Sequence, residues 1–329
     1  MAERSERDVD RRDFLRTSAA ATAAAMAAPR LAAAADGPTV AIVKDKTGNA
    51  VRGLEVDAEI AQKLVDQAVM TLAGKDDIVA AWRTFVDPKE KVAVKFNGLF
   101  RNATSHPEVV DAVTKRLVEA GVDPANIVVY DRDEKAFRTA NIAMNRDGDG
   151  PRAIPTGKDY GPDVKAGPVG TKISNILHRA DALVNLSVLK THQLAGISAA
   201  LKNHLGTVPN AWNLHKGDEK NPKSCLYVAD LNALDPIRKK TRICICEGLY
   251  ALYHGGPRYS PPHRWDYGGV LAATDPVALD TTAAEIIKAK RREKGMSEYH
   301  KPIVHVTRAA ELGLGCGDPE KIKRVEREV

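Results

Sequence analysis

Residues 183–192 have the sequence LVNLSVLKTH, in which an apolar run passes directly into a lysine, a threonine and a histidine. The apolar part, Leu183 to Leu189, has the length and composition of a buried β-strand, and we predict a strand there. Lys190 and His192 follow two residues apart, a spacing that places both side chains on the same side of an extended backbone. We therefore expect this segment to deliver two ionisable groups into a loop at the end of a strand.

Similar short apolar runs occur on both sides of this stretch, separated by longer amphipathic ones. We predict further strands at 40–43, 92–96, 127–130, 243–246 and 270–273. We predict helices at about 57–72, 107–120, 194–205, 225–234 and 276–290. This alternation predicts an α/β fold with a largely parallel sheet and helices on both of its faces.

Three segments lack clear periodicity, and we predict that they are long loop insertions. The longest, 131–170, is rich in Gly, Pro, Asp and Arg, and 210–223 and 254–269 are shorter polar segments. We expect residues 36–329 to form a single α/β domain with these insertions.

Ligands of open parallel sheets bind beyond the carboxyl ends of the strands, so the residues that follow each predicted strand are informative. Asn97 follows the strand at 92–96, and Glu247 and Asp275 follow two later ones. Each predicted strand thus leads into polar or ionisable residues, which predicts one site assembled at a single edge of the sheet.

The predicted helix at 194–205 carries Lys202 and His204 on opposite sides of an apolar stripe, about 160° apart. Both side chains reach one pocket only if the helix unwinds near Asn203, which Gly206 favours. Solvated loop charges are the alternative interpretation for Lys190 and His192, and the same alternative applies to His204.

Two aspartates belong to the predicted helix that begins near residue 276. Asp275 precedes Pro276, the pattern of an N-cap followed by proline at the first helical position. Asp280 lies on the apolar face of that helix, where a carboxylate needs a cationic or metal partner or else a raised pKa. Lys190 or Lys202 would supply the cation, and a structural ion pair is the alternative.

Glycines and a histidine supply further candidate ligand contacts. Gly255 and Gly256 form a flexible turn whose backbone N–H groups would approach an anion or an oxyanion. His106 precedes Pro107 at a predicted helix start, a position that suits negatively charged ligands, with capping as the alternative.

Composition and missing motifs exclude several classes of protein. The net charge of +6 mildly favours anionic ligands, but only 5% of residues are aromatic and no basic run contains interleaved aromatics. We therefore predict no nucleic-acid partner. The chain has no GxGxxG, P-loop, GxSxG or HExxH motif, which disfavours dinucleotide enzymes, phosphate-loop NTPases, elbow-type serine hydrolases and zincin proteases.

The four cysteines, Cys225, Cys244, Cys246 and Cys316, do not have the spacing of an iron–sulfur cluster. We predict no such cluster in this chain. Buried thiols, a disulfide involving Cys225 or Cys316, and metal ligation by Cys244 and Cys246 all stay open.

The amino-terminal segment has the pattern of a twin-arginine export signal. Arg11 and Arg12 precede an apolar pair and an alanine-rich stretch that is too short and too weakly apolar to stay in a bilayer. We predict that residues 1–35 are a signal peptide cleaved after Ala35, that the translocase is a partner during export, and that the mature protein is periplasmic or otherwise exported. We predict no stable membrane span after the signal.

Several segments resemble the family of proteins named domain of unknown function 362. The matching segments are 95–98 with 105–107, the strand end at 130–131, 181–209, 247–248 with 255–257, and 273–280. The Lys-Thr-His element at 190–192, followed by Leu201-Lys202-Asn203 and Gly206, is the most specific of them. The resemblance implies an α/β fold and a common site that includes Lys190, His192, Lys202, Asn203, Asp275 and Asp280. Some relatives carry a ferredoxin-like iron–sulfur module, whose cysteines this chain lacks.

The main functional hypothesis is an exported enzyme of unknown reaction that acts on a small anionic or carbonyl-containing substrate. Its predicted catalytic residues are Lys190, His192, Lys202 and Asp280. Its predicted substrate-binding residues are Asn97, His106, Asn203, Gly255 and Gly256. A divalent metal is the candidate cofactor, with His192, Glu247 and Asp275 as its ligands. The alternatives are a periplasmic metal- or anion-binding protein without turnover, and an accessory to a redox partner.

Overall fold

The computed structural model describes residues 37–298 and 302–329, so the predicted signal peptide and its cleavage site lie outside the described residues. Its strands are β1 (Thr39–Lys44), β2 (Val51–Arg52), β3 (Glu55–Val56), β4 (Val92–Lys95), β5 (Ile127–Tyr130), β6 (Arg152–Ala153), β7 (Tyr160–Ala166), β8 (Val169–Ser174), β9 (Ala182–His192), β10 (Gly196–Ser198), β11 (Thr241–Leu252), β12 (Arg264–Trp265), β13 (Gly269–Ala273) and β14 (Lys323–Glu328). Its helices are α1 (Ala58–Ala73), α2 (Ile78–Trp82), α3 (Pro107–Glu119), α4 (Glu134–Ala140), α5 (Asn175–Arg179), α6 (Ala200–Asn203), α7 (Val228–Asn232), α8 (Asp235–Arg238), α9 (Pro276–Glu293) and α10 (Val304–Glu311).

The central sheet has the strand order β14-β1-β13-β11-β9-β4-β5-β6, with β10 added to β9 and β12 added to β11. Strands β9, β4, β5 and β6 are parallel neighbours, β11 is parallel to β9, and β14 is parallel to β1. Strand β13 is antiparallel to both β1 and β11. The long strands thus share one direction except β13, whose carboxyl end lies at the opposite edge of the sheet.

Apolar side chains cover both faces of the sheet, as the alternation of a strand requires. In β1, Ala41 and Val43 pack in the same core as α1 and α3, whereas Val40 and Ile42 pack with α9 and α10 on the other face. Every residue of β9 is buried. The predicted α/β fold, with a largely parallel sheet and helices on both faces, is confirmed.

Strands β9 and β11 extend further than the apolar runs predicted. Strand β9 continues through His192 because β10 pairs with its last residues, Ser198 opposite Lys190 and Gly196 opposite His192. Strand β11 runs to Leu252, so Glu247 lies inside it and does not follow it. The prediction that these polar residues lie in loops is therefore wrong, because additional strand pairing supplies backbone partners beyond the apolar run.

The helix predicted at 194–205 is also wrong over its first half. Residues 192–198 form a tight hairpin in which Gly196 has a φ of 79°. Helix α6 begins only at Ala200 and passes into a 3₁₀ turn at His204–Thr207. The α-helical turn does end at Asn203, but Lys202 lines the main pocket and His204 does not.

The predicted insertion at 131–170 contains more structure than a loop. It includes α4, β6 and most of the β7–β8 hairpin, whose β7 is only partly buried. The helix predicted at 225–234 is shorter than expected and covers Val228–Asn232. Between residues 210 and 223 the chain has only a 3₁₀ turn, at Ala211–His215.

Within residues 37–298 and 302–329, no helix combines the length and the hydropathy that a membrane crossing requires.

Candidate functional site

A cavity of about 110 Å³ lies at the carboxyl edge of strands β4, β5 and β9. Its walls come from the residues that end or follow these strands and from α6 with the 3₁₀ turn after it. Its lining includes Lys95, Asn97, Asp131, Lys190, His192, Lys202, Asn203, Gly206, His215 and Pro257. The structure therefore brings three of the four predicted catalytic residues to one pocket: Lys190, His192 and Lys202.

Lys190 is almost fully buried, at 2% exposure, near the end of β9. Its Nζ donates hydrogen bonds to Asn97 Oδ1 at 2.8 Å and to the carbonyl oxygen of Ala103. Among the described residues it forms no ion pair with a carboxylate. Burial lowers the pKa of Lys190 to about 7, a shift that the Glu247 carboxylate reduces and the Lys202 ammonium increases.

Lys202, in α6, is the second buried lysine of the pocket, at 5% exposure. Its Nζ lies 3.4 Å from His215 Nε2 and 3.4 Å from Cys225 Sγ. Because His215 Nδ1 lies 3.0 Å from the carbonyl oxygen of Ala211 and donates to it, Nε2 is the acceptor for Lys202. Burial lowers the pKa of Lys202, and burial together with Lys202 lowers the pKa of His215 to about 4.

His192 lines the same pocket with a tautomer fixed by the backbone. Its Nδ1 accepts hydrogen bonds from the N–H groups of Leu194 and Ala195, at 3.2 and 3.3 Å. Nε2 therefore carries the proton of the neutral ring. Burial, with the positive charge of Lys202, lowers the pKa of His192 far below its usual range. His192 is thus a neutral imidazole that can donate a hydrogen bond from Nε2–H.

Lys95 and Asp131 form a buried ion pair that was not among the predicted site residues. Lys95 Nζ lies 3.1 Å from Asp131 Oδ2, and both side chains are less than a tenth exposed. Burial lowers the pKa of Lys95, an effect that Asp131 opposes. A Cβ added to Gly206 would lie 2.2 Å from Asp131 Oδ1 and 2.5 Å from Lys95 Nζ, so only glycine lets the turn after α6 approach this pair. Lys95 lies near the end of the predicted strand at 92–96, and Asp131 directly follows the one at 127–130. Polar residues at strand ends are the sequence signal that would have identified both.

Two asparagines, Asn97 and Asn203, connect the strands to α6. Asn97 Nδ2 donates to Asn203 Oδ1 at 3.1 Å. Asn203 Nδ2 in turn donates to Asn185 Oδ1 and to the carbonyl oxygens of Leu186 and Lys95. Because these two amides hydrogen-bond to each other, they position Lys190 and α6. Their contact with substrate stays a prediction.

Gly255 and Gly256 do not line the pocket, whereas the next residue, Pro257, forms part of its wall. The Gly256 N–H donates to Thr191 Oγ1 at 3.1 Å, and its carbonyl oxygen accepts from the Gln193 N–H. A Cβ on Gly256 would lie 2.0 Å from the Thr191 carbonyl oxygen. The close approach to β9 explains this glycine, and its N–H is not free to bind an oxyanion.

His106 lines a second, larger cavity of about 680 Å³, and its partner Glu247 is buried beside it. Glu247 Oε1 accepts from the His106 backbone N–H at 2.9 Å, and Oε2 lies 2.6 Å from His106 Nδ1. Although burial alone would lower the pKa of His106, Glu247 raises it above its usual value. His106 Nε2 is buried without a hydrogen-bond partner. His106 thus stands at the N-cap position of α3 without a side-chain cap hydrogen bond, and its ring is bound by Glu247.

Asp280 is fully buried in α9, and among the residues that the structure describes no lysine pairs with it. Its Oδ1 and Oδ2 accept hydrogen bonds from the backbone N–H groups of Ala200 and Leu201, at 2.7 and 3.2 Å. Burial raises the pKa of Asp280 to about 7, against the lowering effect of these two hydrogen bonds. The expectation that a lysine pairs with Asp280 is therefore wrong. Asp280 fixes the start of α6, whose own N-cap residue, Ala199, has no side-chain acceptor.

Asp275 lies at the opposite edge of the sheet because β13 runs antiparallel to its neighbours. Its Oδ1 accepts from the N–H groups of Val277 and Ala278, and its Oδ2 accepts from that of Cys316 at 2.8 Å. The capping interpretation of Asp275 is confirmed. The expectation that Asp275 joins the other strand ends at one edge is wrong.

The proposed metal ligands are consequently separated. His192 lines the first cavity, Glu247 holds His106 beside the second, and Asp275 caps α9 at the far edge. Within residues 37–298 and 302–329, no group of three His, Cys, Asp or Glu side chains has the arrangement of a metal site. All four cysteines are unpaired, and Cys244 and Cys246 are buried in β11.

Two further histidines lie near the pocket without lining it. His204 accepts at Nε2 from Asn185 Nδ2 at 3.2 Å, and burial lowers its pKa to about 3. His305, in α10, is fully buried beside Lys202, and its pKa is also lowered to about 3 by burial. His305 was not predicted, because no strand or helix-start pattern accompanies it in the sequence.

The fold and this pocket define a class of protein: an α/β protein with a lysine-rich pocket at the carboxyl edge of a largely parallel sheet. The chain belongs to the family described as domain of unknown function (DUF362), whose model matches residues 92–285. A twin-arginine translocation signal model matches residues 8–28. The protein is therefore addressed for export across the membrane by the twin-arginine translocase, consistent with a periplasmic location.

Two individual proteins are similar to this chain. The thylakoid-associated protein sll1697 of Synechocystis sp. is 27% identical over 221 residues, which cover 62% of this chain and 65% of that protein. The chain thus spans 65% of this relative's length. A crystal structure of a Thermotoga maritima protein has a TM-score of 0.41 at 12% identity, covering 74% of this chain and 60% of that one. A likeness at this score has no bearing on the function of this chain.

Proposed function

We propose that this protein is an exported enzyme that acts on a small anionic or carbonyl-containing substrate in the cavity between β9 and α6. The observation that supports this most is the burial of Lys190 and Lys202 in one pocket, without an ion pair to a carboxylate from the described residues. Lys190 and Lys202 would neutralise the negative charge of the ligand, and His192 would act on the reacting oxygen.

The energetics of buried charge support an anionic ligand. Moving an ammonium group out of water costs several kcal/mol unless an opposite charge compensates. Lys95 has that compensation from Asp131, whereas Lys190 and Lys202 are held by neutral acceptors. A bound carboxylate, phosphate or enolate would supply the missing charge, so its binding should be accompanied by proton uptake where the lysine pKa is lowered.

His192 suits the stabilisation of a developing negative charge. A neutral imidazole with Nδ1 occupied by backbone N–H groups presents Nε2–H as a hydrogen-bond donor. In this role it would polarise a carbonyl group or donate a proton to an oxyanion. Because the ring is neutral before the ligand binds, it adds no further positive charge to a pocket that already holds two lysines.

Binding without turnover is the second candidate, and the same pocket supports it. No carboxylate from the described part of the chain contacts His192 to restore its proton after an acid step, a feature that favours a periplasmic anion-binding protein. Product formation from a bound ligand separates the two functions, since a binding protein returns the ligand unchanged.

Calorimetric titration of the folded mature protein with inorganic phosphate and with pyruvate would test the proposal. We expect Lys202→Met to weaken binding of the anion by about 10- to 100-fold, because charge-assisted hydrogen bonds contribute roughly 1.5–3 kcal/mol. Lys75→Met, a change at an exposed lysine, is the matched control and should leave binding unchanged. Equal affinity in the Lys202→Met and wild-type proteins would refute an anion site in this pocket.

A further inference from the structure

The three lysines of the pocket differ in the chemistry that their contacts allow. Lys95 is held as an ammonium by Asp131, at 3.1 Å. Lys202 donates to the unprotonated nitrogen of His215 and to the sulfur of Cys225. Lys95 also donates to the Phe96 carbonyl oxygen. Lys190 differs in that both of its oxygen acceptors are uncharged, Asn97 Oδ1 and the Ala103 carbonyl oxygen.

Two oxygen acceptors match a neutral lysine amine, which has two hydrogens to donate. A neutral Nζ has two hydrogens, and both would be donated in these contacts, which leaves the nitrogen lone pair as its remaining function. Asn97 Oδ1 is itself fixed, because Asn97 Nδ2 is bound by Asn203. The position of Lys190 Nζ is therefore set by the strand–helix connection and does not depend on a counterion.

The surroundings of Lys190 favour the neutral form. The side chain is 2% exposed, no described carboxylate pairs with it, and Lys202 places a second positive charge nearby. Desolvation and a neighbouring cation are the two recognised means of activating a lysine as a nucleophile. Its pKa, lowered to about 7 chiefly by burial, leaves a substantial fraction of the amine unprotonated near neutral pH.

We propose that Lys190 is a nucleophile that forms an imine with a 2-oxo acid, whose carboxylate is bound by Lys202 and whose carbonyl oxygen accepts from His192 Nε2–H. This inference rests on the proposed function and specifies its substrate class. A 2-oxo acid carries the carbonyl group and the negative charge on adjacent carbons, which matches an amine and an ammonium group in one small cavity.

The step balances without an external oxidant or reductant. The Lys190 lone pair attacks the carbonyl carbon, and the π electrons of the C=O bond pass to the oxygen. Transfer of one proton from nitrogen to that oxygen gives a neutral carbinolamine. The hydroxyl group then leaves as water together with the remaining nitrogen proton, and the C–N bond becomes the double bond of the imine. His192 Nε2–H stabilises the oxygen while it carries negative charge.

Reductive trapping would test this proposal on the folded mature protein. The protein is incubated with pyruvate and sodium cyanoborohydride, whose hydride reduces an imine to a stable secondary amine. Intact-mass measurement followed by peptide mapping should locate one adduct at Lys190. We expect Lys190→Met and Lys190→Arg to lose this adduct, Lys202→Met to reduce it by about tenfold or more, and Lys75→Met to form it as wild type does.

Lys190→Arg keeps a positive charge but cannot form an imine, so it separates chemistry from folding. Circular dichroism and thermal unfolding of this variant would establish that it is folded. Pyruvate binding that is measured by calorimetry but yields no adduct at Lys190 would overturn the imine while leaving the proposed function intact. Adducts spread over exposed lysines in equal yield would also overturn it. Failure of both pyruvate and phosphate to bind would contradict the proposed function itself.

Discussion

Lys95, Lys190 and Lys202 show three ways in which one protein keeps an ammonium or amine group out of water. Lys95 has a carboxylate, Lys190 has an amide and a backbone oxygen, and Lys202 has an imidazole nitrogen and a thiol. Burial lowers the pKa of all three. A buried ion pair is held in place by its own charges, whereas no carboxylate of the described residues pairs with Lys190 or Lys202.

At the same scale, the His106–Glu247 pair should make stability depend on pH. The folded pKa of His106 is raised above 6.5, so its protonation stabilises the fold fully below about pH 6.5 and is lost as the pH rises through the higher folded value. We expect wild type to lose stability relative to His106→Gln between pH 6 and pH 9, because the raised folded pKa of His106 is passed in this range. Urea unfolding of both proteins across this range measures the difference, and a constant difference would show that His106 holds no extra proton.

Helix α9 carries two aspartates whose different positions predict different consequences. Asp275 caps α9 itself at the edge away from the pocket, whereas Asp280 caps α6, which carries Lys202. We expect Asp275→Ala to cost about 1–2 kcal/mol of unfolding free energy, the usual effect of a lost N-cap, with anion affinity unchanged. Asp280→Ala should lower both stability and anion affinity, because Ala200 and Leu201 lose their shared acceptor.

Asp280→Asn is the conservative companion of this pair. It keeps one carbonyl acceptor for the start of α6, so it should retain more affinity than Asp280→Ala. Chemical denaturation and calorimetry on the three variants give both quantities. If Asp275→Ala weakened anion binding as strongly as Asp280→Ala, the two sheet edges would not be functionally separate.

The stretch 192–205 shows where pattern and structure diverge at the level of the element. Its apolar spacing favours a helix, but residues 196–198 instead form β10 against the end of β9. The hairpin extends the sheet and places Ser198 opposite Lys190, which leaves only a short α6 to carry Lys202 and Asn203. Local periodicity cannot anticipate this hairpin. Residues 196–198 pair with the end of β9, and an apolar spacing typical of a helix carries no information about that pairing.

At the scale of the whole molecule, the signal directs a folded domain to another compartment. We expect replacement of Arg11 and Arg12 together by lysine to retain the precursor in the cytoplasm of a bacterium with a twin-arginine translocase. The matched control replaces Arg4 and Arg7 by lysine in the same segment. Fractionation with immunoblotting measures the distribution, and undiminished export of the Arg11/Arg12 variant would refute use of this signal.

The sequence by itself determined the fold class, the order of most strands and helices along the chain, and a set of candidate residues at the strand ends. These features are local: apolar runs form strands, caps start helices, and polar residues follow the carboxyl ends of parallel strands. Lys190, His192 and Lys202 were therefore predictable, and Lys95 and Asp131 follow from the same rule.

Only the tertiary structure decided which polar residues share that pocket. The reversal of β13 moves Asp275 to the far edge, the length of β11 places Glu247 beside His106, and the burial of Asp280 against α6 gives it backbone partners in place of a lysine. Strand direction and pairing partners depend on packing across the whole sheet. A linear pattern specifies which side of a strand a residue faces, but not which residue from a distant segment lies against it.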